Sequence, residues 1–341
     1  MDLGTRYLGL ELRNPLVAAA SPFSRTVDGV RRLADSGVGA VVLASLFEEQ
    51  LRREAERDAA LAEHSSQSYA ESESYFPPGA LADAGPRRHL SLIERAASSV
   101  DVPVIASING ATTGGWARHA RSMQDAGAAA IELNVYFLPG DPGLTGRDVE
   151  RRHLDILAAV VDSVTVPVAV KVGPQFSAFA DVARALEDAG AGALVLFNRF
   201  QQPDIDPETL TVTAGATLSS RAEMRLPLTW IALLRRRAGL DLAATTGVEE
   251  AADVVRYLLA GADVVQTASA LLRHGPEYAT VLLDGLADWM RRKRYASVDA
   301  FRGLLAAPAD PGDSTWVRGG YVRALGWADP AGFAAPTPDV R

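Results

Sequence analysis

The sequence predicts the α/β class and one architecture within it, a single (β/α)8 or TIM barrel with insertions after strands two and six. Three observations carry that prediction. Eight short apolar runs recur along the chain, four of them open with the same glycine turn, and amphipathic stretches of helical period lie between most of them. The turn is seen in DSGVGAVVLAS (35–45), DAGAAAIELN (125–134), DAGAGALVLFN (188–198) and LAGADVVQT (259–267). In each, glycine stands where a helix C-terminus favours a left-handed residue. The Val, Leu and Ile run behind it, about five residues long, reads as a strand buried on both faces.

The elements follow in order. Within residues 1–15, the run 7–12 is half of a small hairpin closing the barrel bottom. Strand one is 16–20, entered through Asn14-Pro15, and strand two is 40–44. Strands three and five, near 103–107 and 167–172, begin on an apolar-Pro step. Proline is tolerated there because the first residue of a strand need not donate to the ladder. Strands four (130–134), six (193–197) and eight (263–267) follow the glycine turn, and strand seven (241–245) resembles the proline-led pair without the proline. Helical periodicity is clearest over 113–124, 149–161, 178–188 and 249–259. Strict alternation of buried strand and helix implies a parallel sheet, and eight such units imply closure. A doubly wound open sheet would need a different strand count.

Two insertions interrupt the rhythm. One, 46–88, carries the polar run 65–68 and the Phe-Pro-Pro-Gly run 76–79; the other, 201–226, carries the alternating Leu-Thr-Val-Thr run 210–213. Both leave C-terminal strand ends, the face on which barrel active sites are built. The barrel is assigned to 1–305, and 306–341, rich in Pro, Gly and Asp, to a C-terminal tail.

Composition excludes several chemistries. The 341 residues include no cysteine, which removes disulfides, thiolate metal sites and thiol nucleophiles. Net charge is −8, and the basic clusters 235–237 and 291–294 are short and read as solvated helix ends, so no nucleic-acid partner is expected. No apolar run approaches the ~20 residues that span a bilayer. No secretory pattern opens the chain, and a cytoplasmic protein without membrane attachment is expected. The histidines at 64, 89, 119, 153 and 274 show no metal-ligand spacing, so no metal is expected; His119 and His153 are assigned to helix surfaces.

The chemistry-bearing residues collect at strand ends. In barrels a phosphate docks between the loops after strands seven and eight. Here those loops are Thr245-Thr246-Gly247 and Thr267-Ala268-Ser269. Small residues let backbone N–H groups approach an anion at a helix N-terminus. Helix capping by the same hydroxyls is the plainer alternative. Lys171 ends an otherwise apolar strand five, where an inward lysine needs a carboxylate, phosphate or electron-rich ring. Asn134 and Asn198 finish strands four and six with donors and acceptors suited to a planar heterocycle, and Asn109, Ser107 and Ser45 complete a polar mouth.

Taken in order, these residues resemble the dihydroorotate dehydrogenase family over roughly 5–305. The marks are Leu12-Arg-Asn-Pro15 leading to Ala20 and Ser21, Ile131-Glu-Leu-Asn134, Pro167-Val-Ala-Val-Lys171, Asn198, Thr246-Gly247-Val248, and the run 266–271 followed by Gly275-Pro276. The resemblance implies an FMN barrel. Lys171 would face the flavin's pyrimidine edge, and Ala20, Ser21, Ser45, Asn109, Asn134, Thr246, Gly247, Ala268 and Ser269 would complete the cofactor site. Asn134 and Asn198 would face a small planar heterocyclic substrate. It also implies a homodimer and, without the anchoring helix of quinone-linked relatives, a soluble electron acceptor.

The chain departs from the family pattern at the substrate side. The catalytic base on the loop after strand four falls on Phe137, a second lysine at strand two is Ala44, the Ser after the strand-six Asn is Arg199, and the Asn-rich substrate loop is replaced by 74–77. This resembles the dihydroorotate-dehydrogenase-like subgroup, which keeps the flavin site and lacks part of the catalytic set. Loss of a general base costs ~100- to 10,000-fold. Tyr136 is a candidate replacement acid/base, although a free phenol with pKa near ~10 is a poor base at neutral pH. Three functions are therefore weighed: an FMN oxidoreductase acting on a dihydropyrimidine-like compound, a catalytically silent flavin-binding or interaction protein, and a phosphosugar isomerase or aldolase using Lys171.

Overall fold

The computed structural model describes residues 1–50, 86–110, 112, 116–199, 204–213 and 217–309. The runs 65–68 and 74–79, His64 and the tail beyond 309 lie outside the described residues.

The chain opens with an antiparallel hairpin, β1 (Thr5–Tyr7) and β2 (Leu10–Leu12). The strands that follow are β3 (Leu16–Ala18), β4 (Ala40–Val42), the two-residue β5 (Leu46–Phe47), β6 (Val104–Gly110), β7 (Ala130–Val135), β8 (Val168–Val172), β9 (Ala193–Leu196), the pair β10 (Asp204–Asp206) and β11 (Thr211–Thr213), β12 (Asp241–Ala244) and β13 (Val264–Thr267). The helices are α1 (Val27–Asp35), α2 (Pro86–Ala97), α3 (Trp116–Asp125), α4 (Gly146–Val161), α5 (Phe179–Asp188), α6 (Arg225–Leu234), α7 (Ala251–Ala260), α8 (Ser269–His274) and α9 (Tyr278–Lys293). Parallel pairing runs from β4 through β3, β13, β12, β9, β8 and β7 to β6, and a β4–β6 pairing closes the ring of eight.

The sequence signals map onto physical causes. The glycines at 37, 127, 190 and 261 hold φ of 98°, 100°, 94° and 121°, the left-handed turn that releases each helix into the next strand. Pro15, Pro103 and Pro167 enter the ladder by their carbonyls alone, accepting from Val265, Val41 and Ile131 at 2.7, 3.1 and 3.0 Å. Strand two is shorter than the run 40–44: pairing stops at Val42 and resumes as β5. Thr145 and Asp148 form a capping box that starts α4 three residues before the apolar period.

The barrel interior is unusually small-chained at its lower level. Ala40, Ala130, Ala169, Ala193 and Ala243 face inward with Val17, Val42, Ile105, Val195 and Val264. Tyr7, Leu8 and Leu12 of the hairpin fill the space those alanines leave, and the Leu8 N–H donates to Asp241 at the foot of β12 at 2.7 Å. The opposite strand faces pack on the helices.

The insertion after β9 forms the β10–β11 ribbon, whose Ile205, Leu210 and Val212 are exposed. Beyond α9 the chain binds back on the helices: the N–H groups of Gly303, Leu305 and Ala307 donate to Leu258, Leu259 and Ala232. His153, expected on a helix surface, is buried instead. Its Nδ1 lies 2.8 Å from the Val149 carbonyl, and its ring packs between Phe137 and Phe176.

Candidate active site

Lys171 sits where β8 ends, its side chain 12% exposed, with Nζ 3.7 Å from Glu132 Oε1 on β7. Glu132 is buried, as two-residue periodicity dictates: on β7 the outward Ile131, Leu133 and Val135 join the helix-facing core, leaving Ala130, Glu132 and Asn134 inside. The other Glu132 oxygen accepts from Gln266 Nε2 on β13 at 2.7 Å. A buried lysine and carboxylate are thus paired, and the carboxylate is hydrogen-bonded again. Such pairs are expensive to break from one side.

Above this trio opens a cavity of about 220 Å³. Ala20, Lys171, Asn198, Arg199 and the loops 245–248 and 266–269 line it, together with Ser219 from the insertion. The sequence-derived residues Ala20, Lys171, Asn198, Thr246, Gly247, Ala268 and Ser269 therefore meet in one place. Asn134 reaches it indirectly, accepting from Asn198 Nδ2 at 2.8 Å. Ser21, Ser45, Asn109 and Tyr136 are not among the residues lining this cavity. Ser45 bonds Ser107 at 2.8 Å, Asn109 stands opposite Asn134 in the β6–β7 register, and Ser21 starts the turn over 22–25.

The two small loops are built rather than slack. Thr246 and Gly247 adopt φ of 79° and 77° in succession. A β-branched residue in that region is a genuine outlier and marks a site the surroundings over-determine. Tyr257 on α7 supplies part of that constraint, its phenol donating to the Thr245 and Thr246 carbonyls at 3.1 and 2.6 Å. Burial, helped by Asp253, pushes this phenol well above its ordinary pKa, so it remains a donor. Ser219 stitches the second side: its N–H and hydroxyl both donate to Ser269 Oγ at 3.0 and 2.9 Å, and its oxygen accepts from Gly247 N–H at 3.2 Å. The capping alternative for these hydroxyls does not hold, because α7 is capped by Glu250 with Asp253 and α8 has no side-chain cap.

Arg199 lies on the cavity wall, donating to Glu223 through Nε at 2.9 Å and to Thr217 through Nη2 at 3.0 Å. Phe137 packs against the helix-facing core, its ring tilted by 35° at 5.6 Å from His153 and capped by the Arg152 guanidinium 4.4 Å from its centroid. Among the described residues no group of three His, Asp or Glu side chains is placed to hold a metal ion.

The sequence profile of the dihydroorotate dehydrogenase family matches residues 2–290. The chain belongs to the dihydroorotate dehydrogenase family. Relatives include the catalytic subunit of dihydroorotate dehydrogenase B (NAD(+)) from Methanothermobacter thermautotrophicus, 29% identical over 309 residues, covering 89% of this chain and 98% of that one. A putative dihydroorotate dehydrogenase A (fumarate) from Aeropyrum pernix is 30% identical over 230 residues, covering 66% of this chain and 72% of that one. The crystal structure of a dihydroorotate dehydrogenase from Eimeria tenella in complex with ferulenol shares the fold, with TM-score 0.63 at 16% identity over 90% of this chain and 89% of that one. Members of the dihydroorotate dehydrogenase family are flavin oxidoreductases of pyrimidine metabolism, which removes the isomerase and aldolase readings.

Reading the sequence missed three contributors to the site. Glu132 could have been found from its two-residue spacing to Asn134 on a buried strand. Gln266 stood inside a motif that was read for its small residues. Ser219 carried no signal, because it comes from an irregular insertion and only folding brings it between the two loops.

Proposed function

We propose that this chain is an FMN-dependent oxidoreductase that moves a hydride between the cofactor and a small dihydropyrimidine-like heterocycle, with Phe137 at the base position arguing against dihydroorotate itself. The observation that carries the reading is Lys171, paired with Glu132 at the rim of a cavity whose far wall is the two small-residue loops. FMN would supply the two-electron acceptor that no side chain provides. One feature fits such a ligand: Gln266, which lines the cavity, has its Oε1 buried and without a partner among the described residues.

The protein's own groups then divide the work. Lys171 brings positive charge to the pyrimidine side of the site, where negative charge accumulates on reduction. The N–H groups of Thr246, Ala268 and Ser269 would hold the phosphate, because those of Thr245 and Gly247 already donate to Leu196 and Ser219, with Ala20 and Ser21 flanking and Ser45 and Asn109 on the opposite side of the mouth. Asn134 and Asn198, linked to each other, orient the substrate, and Tyr136, which follows β7, is the candidate to exchange a proton. The cell context that accompanies this reading is a cytoplasmic homodimer passing electrons to a soluble acceptor.

A second reading, flavin binding without turnover, is favoured by Phe137, because no proton acceptor stands at the position of the family base. Purified protein carrying FMN is mixed with dihydroorotate and with other dihydropyrimidines without oxygen. Bleaching by dihydroorotate or by another dihydropyrimidine supports the first reading and names its substrate. Bleaching by none, with FMN bound, supports the second. Protein that takes up no FMN sinks both.

A further inference from the structure

Gln266 is fully buried, lines the cavity beside Lys171, and among the described residues has one half of its amide satisfied and the other not. The satisfied half decides which atom faces the ligand. An ionised carboxylate only accepts, so the Glu132 oxygen 2.7 Å away must meet the amide NH2. The carbonyl oxygen is thereby the free end of an amide whose residue lines the cavity. A buried acceptor left without a donor is costly, and native proteins seldom leave one so.

Resting on the flavin reading above, we propose that Glu132 is a positioning residue that makes Gln266 Oε1 a fixed acceptor next to the Lys171 ammonium. Acceptor and cation together read a ring lactam edge, an N–H beside a carbonyl. The carbonyl faces Lys171 and the N–H faces Gln266. Oxidised isoalloxazine has a single ring N–H, at N3, flanked by two carbonyls, so the cofactor's pyrimidine edge has this chemistry. A dihydropyrimidine substrate has it too.

The test uses full-length protein stripped of flavin. Wild type, Gln266→Met and Glu132→Gln are titrated with FMN and with N3-methyl FMN by fluorescence quenching. The expected result is a preference of ~10-fold for FMN in the wild type, the value of one buried hydrogen bond. Gln266→Met should bind both flavins alike. Glu132→Gln should lose most of the preference, because its amide lets Gln266 turn, and should raise the flavin midpoint potential, because Lys171 is no longer offset. A purely structural role for Glu132 would move neither.

A parallel arm compares a dihydropyrimidine with its N-methylated forms on the FMN-loaded proteins. Preference in that arm, removed by Gln266→Met, assigns the lactam edge to the substrate. A preference that survives Gln266→Met, or wild type indifferent to methylation in both arms, overturns the proposal. If Gln266→Met does not fold by thermal melt, wild-type indifference alone still overturns it. Absence of any FMN binding defeats the cofactor reading instead, and the dihydropyrimidine arm, run on the flavin-free chain, then decides the lactam edge separately.

Discussion

Phe137 stands one position out of phase with the inward residues of β7. Its ring belongs with Val135 to the outer parity and packs on His153 and under Arg152. Placing a base at this position would therefore aim it at α4 rather than at the site. Phe137→Cys should lose about 1–2 kcal/mol from a half-buried ring and its cation–π partner, and should gain no dihydroorotate oxidation. Thermal melting and anaerobic bleaching check the two halves. Lys171 makes the complementary case. Lys171→Met leaves Glu132 buried without a counter-charge, a loss of about 3–5 kcal/mol. The double variant Lys171→Met with Glu132→Met should melt higher than the single one, and a lower melting point for the double variant would show that the pair is not coupled.

At the scale of elements, the site depends on how two loops are braced. Thr246 and Gly247 are held left-handed by a phenol from α7 and by Ser219 from the insertion, so helix, loop and insertion constrain one another. Gly247→Ala meets both a positive φ and backbone atoms near 3 Å. It should destabilise the fold by about 1–3 kcal/mol and weaken FMN binding beyond what melting explains. Isothermal titration at a temperature where the variant is folded separates the two. Tight binding by a folded Gly247→Ala chain would remove this loop from the cofactor site.

The molecule as a whole shows its tension at the closed end and in the helix layer. Tyr7 fills the barrel bottom with its hydroxyl buried and without a partner among the described residues, and burial with Glu132 beside it pushes the phenol pKa well up. Tyr7→Phe removes that unmet group without opening a cavity, so its melting temperature should rise or hold. His89 on α2 sets an acid limit. Burial, with His119 adding repulsion, lowers its pKa from 6.5 to about 4. The unfolded chain therefore takes up this proton first as pH falls. Stability is complete above pH 6.5 and declines towards pH 4, by on the order of 3 kcal/mol. The same burial lowers His119 and His153, adding in the same direction. Denaturant midpoints at pH 7 and pH 4.5 measure the slope, and His89→Gln should flatten it.

Local grammar was enough for the barrel. A glycine at four helix ends, a proline at the foot of three strands and runs of branched apolar residues act within a few neighbours, and they pointed to all eight staves in the right order. Position at a strand's C-terminal end likewise placed Lys171, Asn134 and Asn198 at the mouth, because the barrel gathers those ends on one face. What neighbours in sequence could not decide was company. Glu132, Gln266 and Lys171 come from three different strands, and Ser219 lies 50 residues from the Ser269 it bonds. Ser45, Asn109 and Tyr136 kept the right chemistry but not a place on the cavity wall. The buried fate of His153 turned on two phenylalanines from separate loops. Facing is a property of one strand, whereas contact requires closing the ring, and the site's charge balance and bracing exist only once it is closed.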